Sequence, residues 1–255
     1  MIKTLIIFCI STILHSQPLR VVEYNAFGLG EKLEYDIGYK FIKAGTGYFE
    51  IGKEPLIYNG NKCYDVNFVV KSLSSLEWIY KVRDSYRTYI DIAGIFPWRY
   101  EQKIREGNYK RDIYTEFDQV NNLAKTKKGE YKTPPFVHDI VSAFYFIRTL
   151  DLKKYKKGDI IELKNFYKDS TYKLDVKILG REVIDVKAGK FKTVIVEPLV
   201  KEGGLFKTEG RIIIWMSDDE RKIPIKVGTE IVIGFVGAEL RQYSGIRGKI
   251  DAKIN

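Results

Sequence analysis

Between Pro134 and Leu150 the chain reads PPFVHDIVSAFYFIRTL, the only long helix-like segment in a sequence that otherwise alternates and turns. Each of the two prolines fixes φ and lacks an N–H, so whatever precedes them ends there. Asp139 stands where a carboxylate accepts from the free N–H groups of a first helical turn, and Ser142 is placed to support that cap. Ile140, Val141, Phe144, Tyr145, Phe146 and Ile147 then leave almost no polar face. A helix that is apolar nearly all round is a buried one. Its eleven residues fall well short of the roughly 20 that cross a bilayer. The spacing predicts a core helix over about 139–149, with Phe144 among its buried side chains and sheet wrapped around it.

The rest of the chain supplies that sheet. Leu33, Tyr35, Ile37, Tyr39 and Phe41 alternate with Glu34, Asp36, Gly38 and Lys40, the period of a half-buried strand. Ala44 to Gly47 reads as a turn into Tyr48–Ile51, and Asn59-Gly60 as a second hairpin turn. Tyr64, Val66, Phe68 and Val70 form the next apolar face, and alternation resumes over 86–90, 98–104 and 109–117. Residues 125–132 (KTKKGEYK) are a polar hairpin tip, and 153–158 a basic loop. Arg211 to Met216 (RIIIWM) is nearly continuous apolar, the pattern of a strand covered on both faces. The fold expected is all-β and mainly antiparallel. It is a strongly curved sheet or half-open barrel with the one helix buried on its concave side; the alternative is two β lobes joined by the helix.

The N-terminus, MIKTLIIFCISTILHSQP, has a basic Lys3, an apolar run from Leu5 to Leu14 and small Ser16 before Gln17. That is the layout of a secretory signal peptide, too short for a membrane anchor. The expected organisation is a signal peptide at 1–16, an arm at 17–30, a single β-rich domain at 31–243 and a flexible tail at 244–255. Export leaves Cys63 as the only cysteine, so no internal disulfide forms and stability comes from packing. The expected location is the periplasm or cell envelope. The charge of +10 permits anionic partners, but abundant Lys, Ile, Tyr and Asn also follow from composition alone.

The order of several short motifs resembles a known family. They are Gly30-Glu31-x-Leu33-x-Tyr35, the Ala44-Gly45 pair, and Asp139, Ser142, Tyr145 and Arg148 on the helix. Ala188-Gly189-Lys190-Phe191, Glu197-Pro198 and GRIIIWMSDDERKIP over 210–224 complete the series. Together they resemble the bacterial family catalogued as domain of unknown function 3108. The resemblance implies exported or envelope-located proteins and no catalytic residues. The residues have structural readings of their own. Arg148 suits the negative end of the helix dipole, Gly189 a tight turn, and Trp215 the core. Asp219 stabilises a turn, and Pro224 is a further structural position of the same motif.

Little in the chain points to chemistry. His138 is the only histidine beyond the signal, which excludes a histidine-rich metal site. Ser142, His138 and Asp139 share one segment without a Gly-x-Ser-x-Gly elbow and read as a helix start. No phosphate loop or dinucleotide fingerprint is present, so no cofactor is expected. The favoured function is a non-catalytic envelope module whose sheet interior receives a lipid or another hydrophobic ligand. Tyr35, Ile37, Tyr39, Tyr64 and Phe68 are the candidate lining residues. A glycan hydrolase using rim carboxylates and a structural partner of an envelope complex are the competing readings. Contact with a membrane surface or an envelope protein fits this picture; nucleic acid does not.

Overall fold

The computed structural model describes residues 18–39, 42–200, 211–231 and 234–254; the expected signal peptide and its cleavage point lie outside them. The first group of strands is β1 (Lys32–Tyr39), β2 (Ile42–Ile51), β3 (Leu56–Tyr58) and β4 (Asn61–Ser72). Then come β5 (Arg83–Asp91), β6 (Pro97–Glu106), β7 (Tyr109–Asp118), β8 (Leu123–Thr126) and β9 (Gly129–Lys132). The helix α1 (Ile140–Thr149) divides these from β10 (Ile160–Tyr167), β11 (Ser170–Val186), β12 (Gly189–Val200) and β13 (Ile212–Ser217). β14 (Pro224–Ile231), β15 (Gly234–Ser244) and β16 (Lys253–Ile254) complete the chain. No described helix is long and apolar enough to cross a membrane.

All the strands join one antiparallel sheet, in the order β10-β11-β12-β13-β14-β15-β1-β2-β4-β5-β6-β7-β8-β9. β3 pairs with β4, and β16 with β12. β1 lies between β15 and β2, so the two halves of the chain share a single sheet. The two-lobed alternative is thereby replaced by one curved, half-open barrel. Its end strands β9 and β10 are not laddered to each other among the described residues. Side chains and one short segment bridge the seam instead. His138 pairs with β10, its N–H donating to the Lys164 carbonyl (2.9 Å) while its own carbonyl accepts from Phe166 (2.8 Å). Thr126 and Lys128 both reach Asp169, at 2.7 and 2.9 Å.

The helix begins where the sequence places it. Asp139 accepts from the Val141 and Ser142 N–H groups, and the Ser142 hydroxyl accepts from the Asp139 N–H, a complete capping box. Residues 140, 143, 144 and 147 share one face, as helical spacing dictates. Residues 141, 145 and 148 share another. Val141 and Tyr145 pack with Phe27, Tyr64 and Ile90, whereas Ala143 and Ile147 pack with Leu152, Ile178 and Met216. Helix α1 is thus the partition between two parts of the core.

Four expectations are corrected. Ala44–Gly47 lies within β2, because Gly45 and Thr46 pair with Ser72 and Lys71, so the chain reverses before Ile42. The arm at 17–30 joins the core: Ala26 and Phe27 are fully buried, and Phe27 sits edge-on to Tyr145 at 4.8 Å. β13 is central in the sheet but half-exposed from Ile212 to Trp215, since only one of its faces meets the interior. Trp215 is accordingly not a core residue; its indole N–H donates to Glu182 on the outer surface. Finally, the expected flexible tail is docked. Ile250 and Ala252 are buried, and Lys253–Ile254 pairs with Lys190 and Phe191.

Candidate functional site

Neighbouring strands alternate in direction, so β1, β4, β12 and β14 end at the same end of the barrel where β2, β5, β13 and β15 begin. That half of the interior is hollow. A cavity of about 420 Å³, partly open to the surface, lies above the 140/143/144/147 face of α1. Its volume falls within the roughly 300–1,000 Å³ typical of small-molecule sites.

One wall is aromatic. Phe49, Phe68 and Tyr86 are direct cross-strand partners on β2, β4 and β5. Their rings stack at 4.2 and 5.3 Å, and Phe144 of the helix stacks on Phe49 at 5.4 Å. The facing wall is aliphatic, built from paired positions such as Leu163 with Leu174 and Val196 with Ile214. Gly228 and Gly237 also pair across β14 and β15, and leave a stretch of wall without side chains. The void follows from that pattern: strands commit apolar residues inward, one short helix cannot fill the span, and the glycines add no bulk.

Of the candidate lining residues, Tyr35, Ile37 and Phe68 meet in this cavity. Tyr35 turns its hydroxyl away, donating to the Pro224 carbonyl at 2.8 Å. Tyr64 lies beneath the helix in the other core cluster, its hydroxyl 2.7 Å from that of Tyr24. Tyr39 is half-buried at the end of β1, beyond the lining. Phe49, Tyr86, Gly228 and Gly237 were not among the candidates. Alternation identifies faces, but nothing in one sequence says which faces oppose each other across a barrel.

The helix-start residues serve structure. His138, Asp139 and Ser142 are all buried. Asp139 is occupied by the cap and by the Thr88 hydroxyl at 2.7 Å, and burial raises its carboxyl above the usual range. His138 Nδ1 lies 3.3 Å from the Ser142 hydroxyl, and its pKa is lowered to about 3 by burial and by Arg20. A histidine made so weakly basic by burial is a poor acceptor for a serine proton, and its serine is engaged in a cap, so the two are not an activated nucleophile pair.

Arg148 does more than answer a dipole. It is fully buried and grips Glu31, and it also donates to the Ala26 and Arg221 carbonyls. Glu31, noted in the sequence only as part of an opening motif, is its partner. Gly189 turns β11 into β12 with φ +127°, a backbone conformation open to glycine. Pro224 opens β14, where a missing N–H is tolerated.

A second, polar cleft of about 540 Å³ lies at the opposite end, lined among others by Glu23, Asp151, Asp218, Asp219 and Lys222. The basic loop at 153–158 lies on this side, where Gly158 and Arg181 tie it to β11. The adjacent carboxylates Asp218 and Asp219 are both committed to structural contacts here. Asp219 accepts from the Ser217 hydroxyl and the Arg221, Lys222 and Ala252 N–H groups, and Asp218 pairs with Arg181 at 3.1 Å. Among the described residues, no three His, Cys, Asp or Glu side chains converge as a metal site.

Fold and cavity together define a class: a half-open antiparallel β-barrel organised around an internal helix, with an apolar chamber on one side of that helix. Residues 34–241 match the family described as protein of unknown function DUF3108, and the chain belongs to it. No curated protein matches the sequence. Among solved structures, it is similar to a β-barrel-like protein of domain of unknown function DUF1849 from Brucella abortus. That similarity has a TM-score of 0.54 at 11% identity, over 89% of this chain and 98% of the other. A weaker similarity is to the hypothetical protein CT021 from Chlamydia trachomatis, with a TM-score of 0.39 at 9% identity over 91% and 95% of the two chains.

Proposed function

We propose that the protein is an exported envelope component that holds a lipid chain, or a comparable hydrophobic ligand, inside the barrel. The observation that supports this reading is the lining of the 420 Å³ cavity: stacked aromatic rings face branched aliphatic side chains, with paired glycines leaving room between. Among the described residues this lining carries no charged side chain, and such a surface favours apolar matter by roughly 0.8 kcal/mol per buried methylene. Export is the reading that the Lys3, Leu5–Leu14 and Ser16 layout supports.

Native mass spectrometry of gently purified protein tests the proposal, together with displacement of a hydrophobic fluorescent probe by fatty acids. A co-purifying lipid mass or competitive displacement is expected. Ile214→Trp, which adds an aromatic side chain on the cavity wall, is expected to weaken probe binding by roughly tenfold or more. If no adduct appears and no probe is displaced, the carrier reading falls.

A further inference from the structure

The end of the barrel that holds the cavity carries an apolar loop that the interior does not explain. Between β4 and β5 the consecutive residues Trp78, Ile79 and Tyr80 are 84%, 63% and 54% exposed. Ile42, at the start of β2, is 68% exposed, and Tyr109, at the start of β7, is 44% exposed. These belong to one rim. Leu73 donates to the Ala44 carbonyl, joining the loop to β2, and the Gly107 N–H donates to the Lys81 carbonyl, joining it to the β6–β7 turn. Isolated exposed hydrophobics are ordinary, but a contiguous group of them marks an interaction surface.

The loop is built rather than loose. The Ile79 and Tyr80 N–H groups both donate to the Leu76 carbonyl, at 3.0 and 3.1 Å, and Glu77 binds Arg83 at 2.8 Å and Lys81 at 3.8 Å. With the backbone fixed in this way, the three side chains are held outward.

The charges beside them favour one kind of partner. Lys71, Lys81, Arg83 and Lys110 are exposed around the aromatics, against the half-buried carboxylates of Glu77 and Glu106. Neither Lys71 nor Lys110 forms an ion pair among the described residues. Asp84, nearby, is buried and accepts from the Arg105 N–H, and burial beside Asp84 raises the Glu106 carboxyl above its usual range. Aromatic side chains next to lysine and arginine suit the boundary between lipid headgroups and acyl chains, where an amphipathic ring is stable and cations meet anionic heads.

We infer that this rim is a docking surface for an anionic lipid bilayer, with Trp78, Ile79 and Tyr80 entering the headgroup layer and Lys71 and Lys110 contacting anionic heads. The surface adjoins the chamber directly, because β4 carries Val70 and β5 carries Tyr86, both in the cavity lining, on either side of the loop. The docking end is therefore also the end at which an acyl chain would enter. That last step rests on the carrier reading; the docking itself does not.

Flotation with vesicles tests it, using protein that begins at Gln17 and so keeps every described residue. Vesicles of equimolar phosphatidylcholine and phosphatidylglycerol are expected to carry the protein upward, and vesicles of phosphatidylcholine alone to carry much less. Replacing the three anchors together, Trp78→Ser, Ile79→Ser and Tyr80→Ser, is expected to weaken binding by roughly a hundredfold or more. Their exposure predicts an unchanged melting temperature. Lys71→Gln and Lys110→Gln should each cost about fivefold on anionic vesicles at low salt, and progressively less as salt is raised. These two variants keep the test decisive even if the triple variant folds poorly. A wild-type chain that floats with neither vesicle, or lysine variants that bind as wild type, overturns membrane docking and assigns the loop to a protein partner. Ligand occupancy is read from mass and docking from flotation, so either reading can fail while the other stands.

Discussion

Arg148 and Glu31, 117 residues apart in the chain, meet as a buried two-pronged ion pair, Nη1 to Oε1 at 2.5 Å and Nη2 to Oε2 at 2.8 Å. The pair ties the end of the helix to the segment that enters β1. Remaining guanidinium donors go to the Ala26 and Arg221 carbonyls, so both flanking chain segments are held as well. Removing one member of such a pair strands the other charge away from water, at a cost of roughly 3–5 kcal/mol. Glu31→Ala and Arg148→Met should each lower stability by that amount in denaturant unfolding. The double change Glu31→Ala with Arg148→Met should cost clearly less than the two singles added together. Additive losses would mean that the two side chains are not coupled.

The two aromatic neighbours on the helix should separate in the same assay. Tyr145 is fully buried beneath the helix, whereas Phe144 is half-buried and faces the cavity. Tyr145→Ala is expected to cost roughly 3–5 kcal/mol, as buried aromatic truncations do. Phe144→Ala enlarges an existing space, so its cost should be smaller and its effect on ligand binding larger. Equal midpoints for the two variants would contradict this division of the helix into a packed face and a chamber face.

The pH dependence of folding carries the mark of His138. Its folded pKa is lowered from 6.5 to about 3, first by burial and then by the charge of Arg20. Between those values the unfolded chain binds a proton that the folded chain refuses. The contribution is therefore fully present above pH 6.5 and is lost as pH falls toward 3. The loss approaches about 1.4 kcal/mol per pH unit. Asp139, its carboxyl raised by burial, acts in the opposite sense, with stability lost as pH rises through its folded value. Comparison with His138→Phe, which leaves Asp139 in place, isolates the histidine. Unfolding free energies at several acid pH values should fall more steeply for the wild type, and parallel curves would refute the assignment.

The C-terminal segment should prove necessary. Ile250 and Ala252 are buried, and the Ala252 N–H donates to Asp219 at 2.9 Å. Deleting residues 249–255 exposes a core contact and removes a donor from a buried carboxylate, an expected loss of roughly 2–4 kcal/mol. A fraying tail would cost within about 0.5 kcal/mol. Thermal unfolding of the truncated chain distinguishes the two.

Local physics made much of this molecule legible in its sequence. Asp139 and Ser142 form the cap that their spacing describes, because capping needs only neighbours three residues apart. The alternation of Leu33, Tyr35 and Ile37 marks an inward face, because side-chain direction in a strand reverses at every residue. Family membership followed in the same way, from short motifs in a set order. What the sequence could not determine were relationships between distant segments. That Glu31 receives Arg148, that Phe49 stacks between Phe68 and Phe144, and that Trp215 faces outward all depend on which strand lies beside which. The chamber belongs to the same class. A void is the difference between the span of a curved sheet and the bulk of everything inside it, and only the closed packing of both halves around one short helix decides that difference.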